Sequence, residues 1–143
     1  MIEDPDPFQL QRFVDAQEDM FEAAIAELRT GNKQSHWIWF VFPQLAGLGQ
    51  SPTAIFYGIK SLDEAGAYLA HPVLGERYRS AVEAIMTWAG RRTAIEILGD
   101  VDAMKLRSSL TLFEIASADP LFAQALHTFY DKPDQATIRL LER

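Results

Sequence analysis

The sequence predicts an all-α protein, and three observations carry this prediction. A residue that caps helices stands directly before proline at three places, which is typical of a helix N-terminus. These places are Asp6-Pro7, Ser51-Pro52 and Asp119-Pro120. Apolar residues recur at spacings of three and four between such signals. The run 37–42 has the composition of a buried strand, but no second run could pair with it. We therefore expect one domain over residues 1–143, an irregular bundle of about seven to eight helices with orthogonal packing.

The first two predicted helices lie within the first 43 residues. Apolar side chains form one stripe along residues 7–30, so a single long helix is expected there. Gly31 suits the left-handed conformation that ends a helix. As a strand, residues 37–42 would be apolar on both faces and would leave their backbone groups unpaired. This run is therefore predicted as a short buried helix that stops at Pro43.

The remaining helices are predicted from capping signals at their N-termini. Ser61 and Thr93 each have a glutamate three residues later, which is the pattern of a capping box. His71 before proline is a poor cap, whereas Asp134 is a good one. In chain order, these helices are expected over residues 52–59, 61–70, 72–89, 93–98, 100 or 102 to about 118, 120–131 and 135–142.

The amino-acid composition of the chain excludes several classes of function. The formal net charge of −7 opposes general binding to nucleic acid or to an anionic membrane. The chain has no cysteine, which excludes disulfides, thiolate catalysis and cysteine-ligated zinc. No spacing of histidines or carboxylates indicates a metal site, and we expect no cofactor. The N-terminal residues lack an apolar signal core, and the longest apolar run is too short for a bilayer. We expect a cytoplasmic protein, either a monomer or a homodimer.

The first candidate site is an aromatic segment that begins at His36. Trp37 and Trp39 lie roughly 200° apart on a helix, so one is expected to pack in the core while the other is free to line a groove. His36, at the start of the segment, could orient a ligand or transfer a proton. The simpler interpretation is that both tryptophans are core residues and that the histidine is structural.

A glycine-containing loop follows this segment and runs into the helix predicted after Ser51. Gln44, Gly47 and Gly49 belong to this loop. Backbone N–H groups in such loops can bind anions, but the glycine spacing matches neither a dinucleotide-binding fingerprint nor a P-loop. A turn that needs positive φ is the alternative interpretation.

The second candidate site is the start of the helix predicted from residue 100 or 102. Lys105 and Arg107 lie in its first two turns, where the helix dipole disfavours cations by up to about 1 kcal/mol. They either pair with local carboxylates or bind an anionic ligand. Ser108 needs a hydrogen-bond partner on this largely buried helix, and a phosphate or a polar wall between helices would supply one.

Four segments carry a resemblance to a known family: residues 6–17 (DPFQLQRFVDAQ), 36–49 (HWIWFVFPQLAGLG), 68–75 (YLAHPVLG) and 105–113 (KLRSSLTLF). They resemble the DUF1810 family, a bacterial family of small all-helical proteins without an established activity. The resemblance spans essentially the whole chain and implies a helical fold but no mechanism. Proteins of this type are often labelled calpastatin, yet the chain has nothing like the disordered repeats of that calpain inhibitor.

We hypothesise that residues 36–49 and 105–111 meet across one groove and bind a small anionic or nucleotide-like ligand. A protein-interaction module without chemistry is one alternative. A fainter likeness to the NADAR family, in helix order and in a Lys-Leu-Arg motif, implies another, a hydrolase of ADP-ribose-related compounds. Such an enzyme would need a carboxylate in the groove, for which Asp15, Glu18 and Glu64 are candidates. The catalytic residues, and whether the protein is an enzyme, stay open.

Overall fold

Ten helices and no strand occur in the computed structural model, which describes residues 4–142. In chain order they are α1 (Gln11–Glu18), α2 (Phe21–Thr30), α3 (Ile38–Val41), α4 (Pro52–Phe56), α5 (Leu62–Ala70), α6 (Leu74–Met86), α7 (Ala94–Leu98), α8 (Asp100–Ala116), α9 (Pro120–Phe129) and α10 (Gln135–Leu141). Residues 1–3, which begin the acidic N-terminus, and residue 143 lie outside the described range. The all-α prediction is confirmed. The helices outnumber the seven to eight expected for the bundle. Nine segments are predicted helical one by one, and the tenth helix arises because the first of these segments is divided into α1 and α2.

The prediction of one helix over residues 7–30 is wrong. α1 begins later than expected, where Asp6 accepts hydrogen bonds from the backbone N–H groups of Leu10 and Gln11 at 2.8 and 2.9 Å. A two-residue turn after Glu18 then separates α1 from α2. The two helices pack on different neighbours, α1 on α3 and α2 on α6. The residues that form one continuous apolar stripe in the sequence therefore belong to two helices, each of which is buried against a different neighbour.

The aromatic run forms the helix α3, as predicted, and three of its four residues are buried. The chain turns at Pro43 and then pairs briefly with the segment before α5. Ile59 N–H donates to the Gln44 carbonyl at 2.9 Å, and the Ile59 carbonyl accepts from Ala46 N–H at 2.7 Å. This isolated parallel bridge ties the loop after α3 to the entrance of α5.

Most of the predicted capping residues do cap helices. Each of five accepts a hydrogen bond from a backbone N–H in the first turn of the following helix: Ser51, Ser61, Thr93, Asp119 and Asp134. The capping box predicted at Thr93 is complete. The one predicted at Ser61 is half formed, because Glu64 accepts from Lys60 N–H at 3.1 Å and from Arg12 at 2.8 Å instead.

Helix lengths differ from the predictions mainly at the ends. α6 begins at Leu74, whose backbone N–H lies 3.3 Å from the accepting Nδ1 atom of His71. α8 ends at Ala116 and α9 at Phe129, each two residues before the expected end. α8, at 17 residues, is still the longest helix described. Within residues 4–142, no helix has the length and apolar character needed to cross a bilayer.

Aromatic side chains meet around Tyr78 in the core. Its ring centroid lies 4.4 Å from that of Phe113 and 5.2 Å from that of Phe122, and Phe42 packs against it at 5.8 Å. The Tyr78 hydroxyl shares a 2.8 Å hydrogen bond with Ser109, which satisfies two polar groups that are cut off from water. Burial raises the pKa of Tyr78, so the phenol stays protonated. α8 carries Phe113 and Ser109 into this core and also packs on α5, α7, α9 and α10.

Candidate functional site

A groove with a volume of about 460 Å³ separates the loop after α3 from α8. Residues between Trp39 and Ala54 form one wall, and α8 forms the other together with the start of α10. Five of the predicted site residues line this groove: Trp39, Gln44, Gly49, Lys105 and Ser108. The structure therefore brings the two candidate segments to one cavity, although only part of each segment contributes to it.

The ammonium group of Lys105 lies over the indole of Trp39 in this groove. Its Nζ is 4.4 Å from the ring centroid, a distance at which a cation is attracted to the π face. One carboxylate oxygen of Asp102 is 3.7 Å from the same Nζ, but the other pairs more closely with Lys33, at 2.7 Å. Lys105 is thus held loosely, by an aromatic face and a shared carboxylate.

A hydroxyl and a carboxylate form a polar end of the groove. Ser108 Oγ donates to Asp134 Oδ2 at 3.0 Å, and the same oxygen accepts from the backbone and the hydroxyl of Thr137 at the start of α10. Thr111 Oγ1 accepts from Asp134 N–H at 2.9 Å. The hydroxyls of Ser108 and Thr111 therefore find partners in a polar wall between α8 and α10. The sequence predicts Asp134 only as a cap, because no local pattern connects it with α8.

Gly47 and Arg107, two other predicted site residues, face away from the groove. The Arg107 guanidinium donates to the carbonyls of Lys132 and Pro133 at 2.8 and 2.9 Å, which turns it toward the loop before α10. Gly47 has a φ of 102°, a backbone conformation that favours glycine. A Cβ added there would lie 3.5 Å from Leu140 of α10. Both residues therefore face the C-terminal part of the chain rather than the groove.

Trp37 and His36 also lie outside the groove lining, and Glu27 holds the loop that carries them. Trp37 is fully buried and donates Nε1–H to Glu27 at 2.9 Å. The Glu27 carboxylate also accepts from the N–H groups of Gln34 and Ser35 and from the Ser35 hydroxyl, at 2.7 to 2.8 Å. Burial would raise the pKa of Glu27, but these hydrogen bonds outweigh it and lower the pKa to about 2. His36 is left exposed beside this loop.

Comparison with known proteins assigns the chain to a family. The sequence model of the family described as "Protein of unknown function (DUF1810)" matches residues 7–141. The chain belongs to the DUF1810 family. It is similar to the conserved hypothetical protein Rv1873 from Mycobacterium tuberculosis, known from a crystal structure, with 46% sequence identity and a TM-score of 0.93 over 96% of this chain and 99% of that one. No curated protein matches the chain. The resemblance expected from the four sequence segments is confirmed.

In this DUF1810 protein, Asp134 is the one carboxylate among the described residues that line the groove. The carboxylates expected to serve a hydrolase lie elsewhere. Glu64 is buried against Arg12 at 2.8 Å, while Asp15 and Glu18 are exposed on α1. No group of three histidine, aspartate or glutamate side chains that could hold a metal ion occurs in the described range. The groove lining thus combines one cation, the amides of Gln44 and Gln50, and one carboxylate already engaged in hydrogen bonds.

Proposed function

We propose that the groove binds a small organic ligand with a flat or apolar body and one anionic group. One observation carries this proposal. Lys105 is the single cation among the described residues that line the groove, and its Nζ lies 4.4 Å from the centroid of the Trp39 ring. An ammonium beside an aromatic wall suits a carboxylate or phosphate joined to a body that packs on the same wall.

Apolar side chains at the rim support the proposal. Val101 and Met104 line the groove, yet 63% and 68% of their surfaces are exposed. A ligand body that covered them would remove apolar surface from water, which is favourable by roughly 25 cal/mol per Å². The groove volume of about 460 Å³ also falls within the range of roughly 300–1,000 Å³ that is typical of ligand pockets.

The charge balance favours one anionic group over a polyphosphate. Lys105 supplies one positive charge, which Asp102 shares at 3.7 Å. Asp134 carries a negative charge in the same lining, so a second phosphate would be repelled there. A nucleoside monophosphate or an aromatic carboxylate therefore fits this balance better than ADP-ribose does.

Lys105→Gln is expected to weaken the binding of such a ligand about 10- to 100-fold, because a hydrogen bond to a charged group contributes about 1.5–3 kcal/mol. Adenosine monophosphate, phenylacetate and ADP-ribose, with uncharged adenosine as a reference, can be titrated into the labelled protein and followed by NMR. The matched control is Lys60→Gln, which changes an exposed lysine outside the groove and should alter the affinity by less than about twofold.

Two results would remove the basis of this proposal. One is a wild-type protein in which none of the three anions shifts the indole N–H signal of Trp39, and the other is a Trp39 signal that responds to an anion at the same concentrations in Lys105→Gln as in the wild type. Thermal unfolding gives an independent check, since a ligand present at about 100 times its Kd stabilises the folded state by about 2.7 kcal/mol.

The exposure of Val101 and Met104 favours a second candidate function, a protein-interaction module that buries this rim without using Lys105. Self-association is the form that can be tested with the protein alone. Light scattering over a range of concentrations would detect a dimer, and Met104→Glu should return such a dimer to monomers. A protein that stays monomeric throughout would count against self-association at this rim.

A further inference from the structure

A second cavity, of about 320 Å³, opens between the α6–α7 loop and the end of α9. It shares no lining residue with the groove as far as residues 4–142 are concerned. Two adjacent arginines, Arg91 and Arg92, line it together with Thr128 and Phe129 of α9. In a chain whose formal net charge is −7, two arginines in the lining of one cavity mark a local reversal of charge.

Arg92 has a buried donor that lacks an acceptor. Its Nη2 atom donates to the Glu96 carbonyl at 2.9 Å, but no acceptor for its buried Nε–H exists among the described residues. A guanidinium remains charged at any pH at which proteins fold. Buried donors are nearly always satisfied in proteins. An oxyanion in the adjoining cavity would satisfy this one if a small rotation of the guanidinium opened Nε–H to the cavity.

Arg91 precedes Arg92 in the chain and is exposed, and its guanidinium contacts the turn after α6. The guanidinium carbon lies 4.5 Å from the centroid of a Trp88 ring, and Nη2 donates to a backbone carbonyl one turn earlier at 2.9 Å. Neither arginine forms an ion pair with any residue in the part of the chain described. The acidic residue in the lining, Glu96, uses its carboxylate to accept the Thr93 N–H at 2.9 Å. Hydrogen bonds from Thr93 and the charge on Arg92 lower the pKa of Glu96, so the lining holds two positive charges against one carboxylate, a formal net charge of +1.

We propose that this cavity is a second binding site and that it takes a small phosphomonoester. Guanidinium groups bind phosphate oxygens in pairs. A phosphate has three terminal oxygens, so Arg92 can bind one edge through Nε–H while Arg91 binds another. The cavity volume leaves room for an ester body beyond the phosphate, and Phe129 offers that body an apolar surface. The site is independent of the groove ligand and of Lys105.

Phenyl phosphate is the probe, titrated at low ionic strength, where charge interactions are screened least. The Arg92 Nε–H signal is followed by NMR and is expected to shift as the phosphate binds. Arg92→Gln should weaken binding by at least about tenfold, because the orphaned donor and a positive charge are both lost. Arg29→Gln, an exposed arginine on α2, is the matched control and should change the affinity by less than about twofold.

Two further measurements distinguish this cavity from the groove and a phosphomonoester from inorganic phosphate. Phenyl phosphate also has the flat body and the single anionic group proposed for the groove, so the Arg92 Nε–H signal is the readout for this site. Its response to phenyl phosphate should be the same in Lys105→Gln as in the wild type, so the groove proposal can fail without affecting this one. Inorganic phosphate should bind more weakly than the ester, and equal affinities would overturn the assignment to a phosphomonoester.

If circular dichroism shows that Arg92→Gln does not fold, Arg92→Lys takes its place and should still weaken binding, since lysine cannot form the paired contacts. The proposal is overturned if the wild type shows no binding at roughly 10 mM phenyl phosphate, or if Arg29→Gln weakens binding as much as the Arg92 variant does.

Discussion

Arg12→Met is expected to lower the free energy of unfolding by about 3–5 kcal/mol, because removing one partner of a buried ion pair leaves the other charge buried and unpaired. Nη2 of Arg12 lies 2.8 Å from Oε2 of Glu64, and the two side chains are only 8% and 2% exposed. Urea unfolding of the variant and the wild type at neutral pH would measure the difference.

The position of Arg12 explains why the loss should be large. The guanidinium also donates to four backbone carbonyls, those of Phe8, Gln9, Phe56 and Gly58, at 2.8 to 3.1 Å. These contacts join α1 to the end of α4 and to the connection that leads into α5. α4 follows the loop that forms one wall of the groove. Arg12 therefore holds the end of α4, which continues that wall, and its loss should make the groove wall more mobile as well as destabilise the core.

A double variant separates the ion pair from the carbonyl contacts. If most of the lost stability comes from the buried, unpaired carboxylate of Glu64, adding Glu64→Leu to Arg12→Met should restore part of the free energy of unfolding. Arg29→Met, at an exposed position on α2, is the control and is expected to stay within about 0.5 kcal/mol of the wild type. A loss below about 1 kcal/mol for Arg12→Met would mean that this pair behaves like a surface salt bridge.

Helix starts are the part of the fold that the sequence predicts best, because capping is a local interaction. A cap such as Ser51, Asp119 or Asp134 accepts a hydrogen bond from a residue two or three positions later. The break between α1 and α2 has no such signal. The break depends on the neighbouring helices, because α1 packs on α3 whereas α2 packs on α6. The apolar stripe alone is compatible with one helix or with two.

In the groove, too, features set by neighbouring residues can be predicted from the sequence, whereas features set by distant partners cannot. The spacing predicts that only one of Trp37 and Trp39 faces the core, but it does not say which, and the structure places Trp39 in the groove. Arg107 and Ser108 take their directions from partners 25 or 26 residues further along the chain, and no pattern in the sequence connects them. The carboxylate of Asp134 escapes sequence reasoning for the same reason. Glu27 does too, since a glutamate inside an amphipathic helix looks like part of a solvated face.

Glu27→Gln is expected to lower the free energy of unfolding by about 2–3 kcal/mol at neutral pH. The two carboxylate oxygens accept four hydrogen bonds, whereas an amide has one accepting oxygen and turns donors toward the remaining groups. The Nε1–H of Trp37, whose ring is fully buried, is then left without a partner or shares one. Glu22→Gln, at an exposed position of the same helix, is the matched control and should change stability by less than about 0.5 kcal/mol.

The pH dependence gives this prediction a second, independent readout. Folding lowers the pKa of Glu27 from its ordinary 4.5 to about 2, so the stability that its carboxylate contributes is fully present above about pH 4.5 and is lost as the pH falls toward 2. The wild type should lose stability across this window, while Glu27→Gln has no carboxylate there to protonate and should lose less. The difference between the two proteins should therefore shrink toward pH 2. A difference that stays constant over the window would show that the loop before α3 is held by shape rather than by the charge on Glu27, and the orientation of Trp39 at the groove would then need another support.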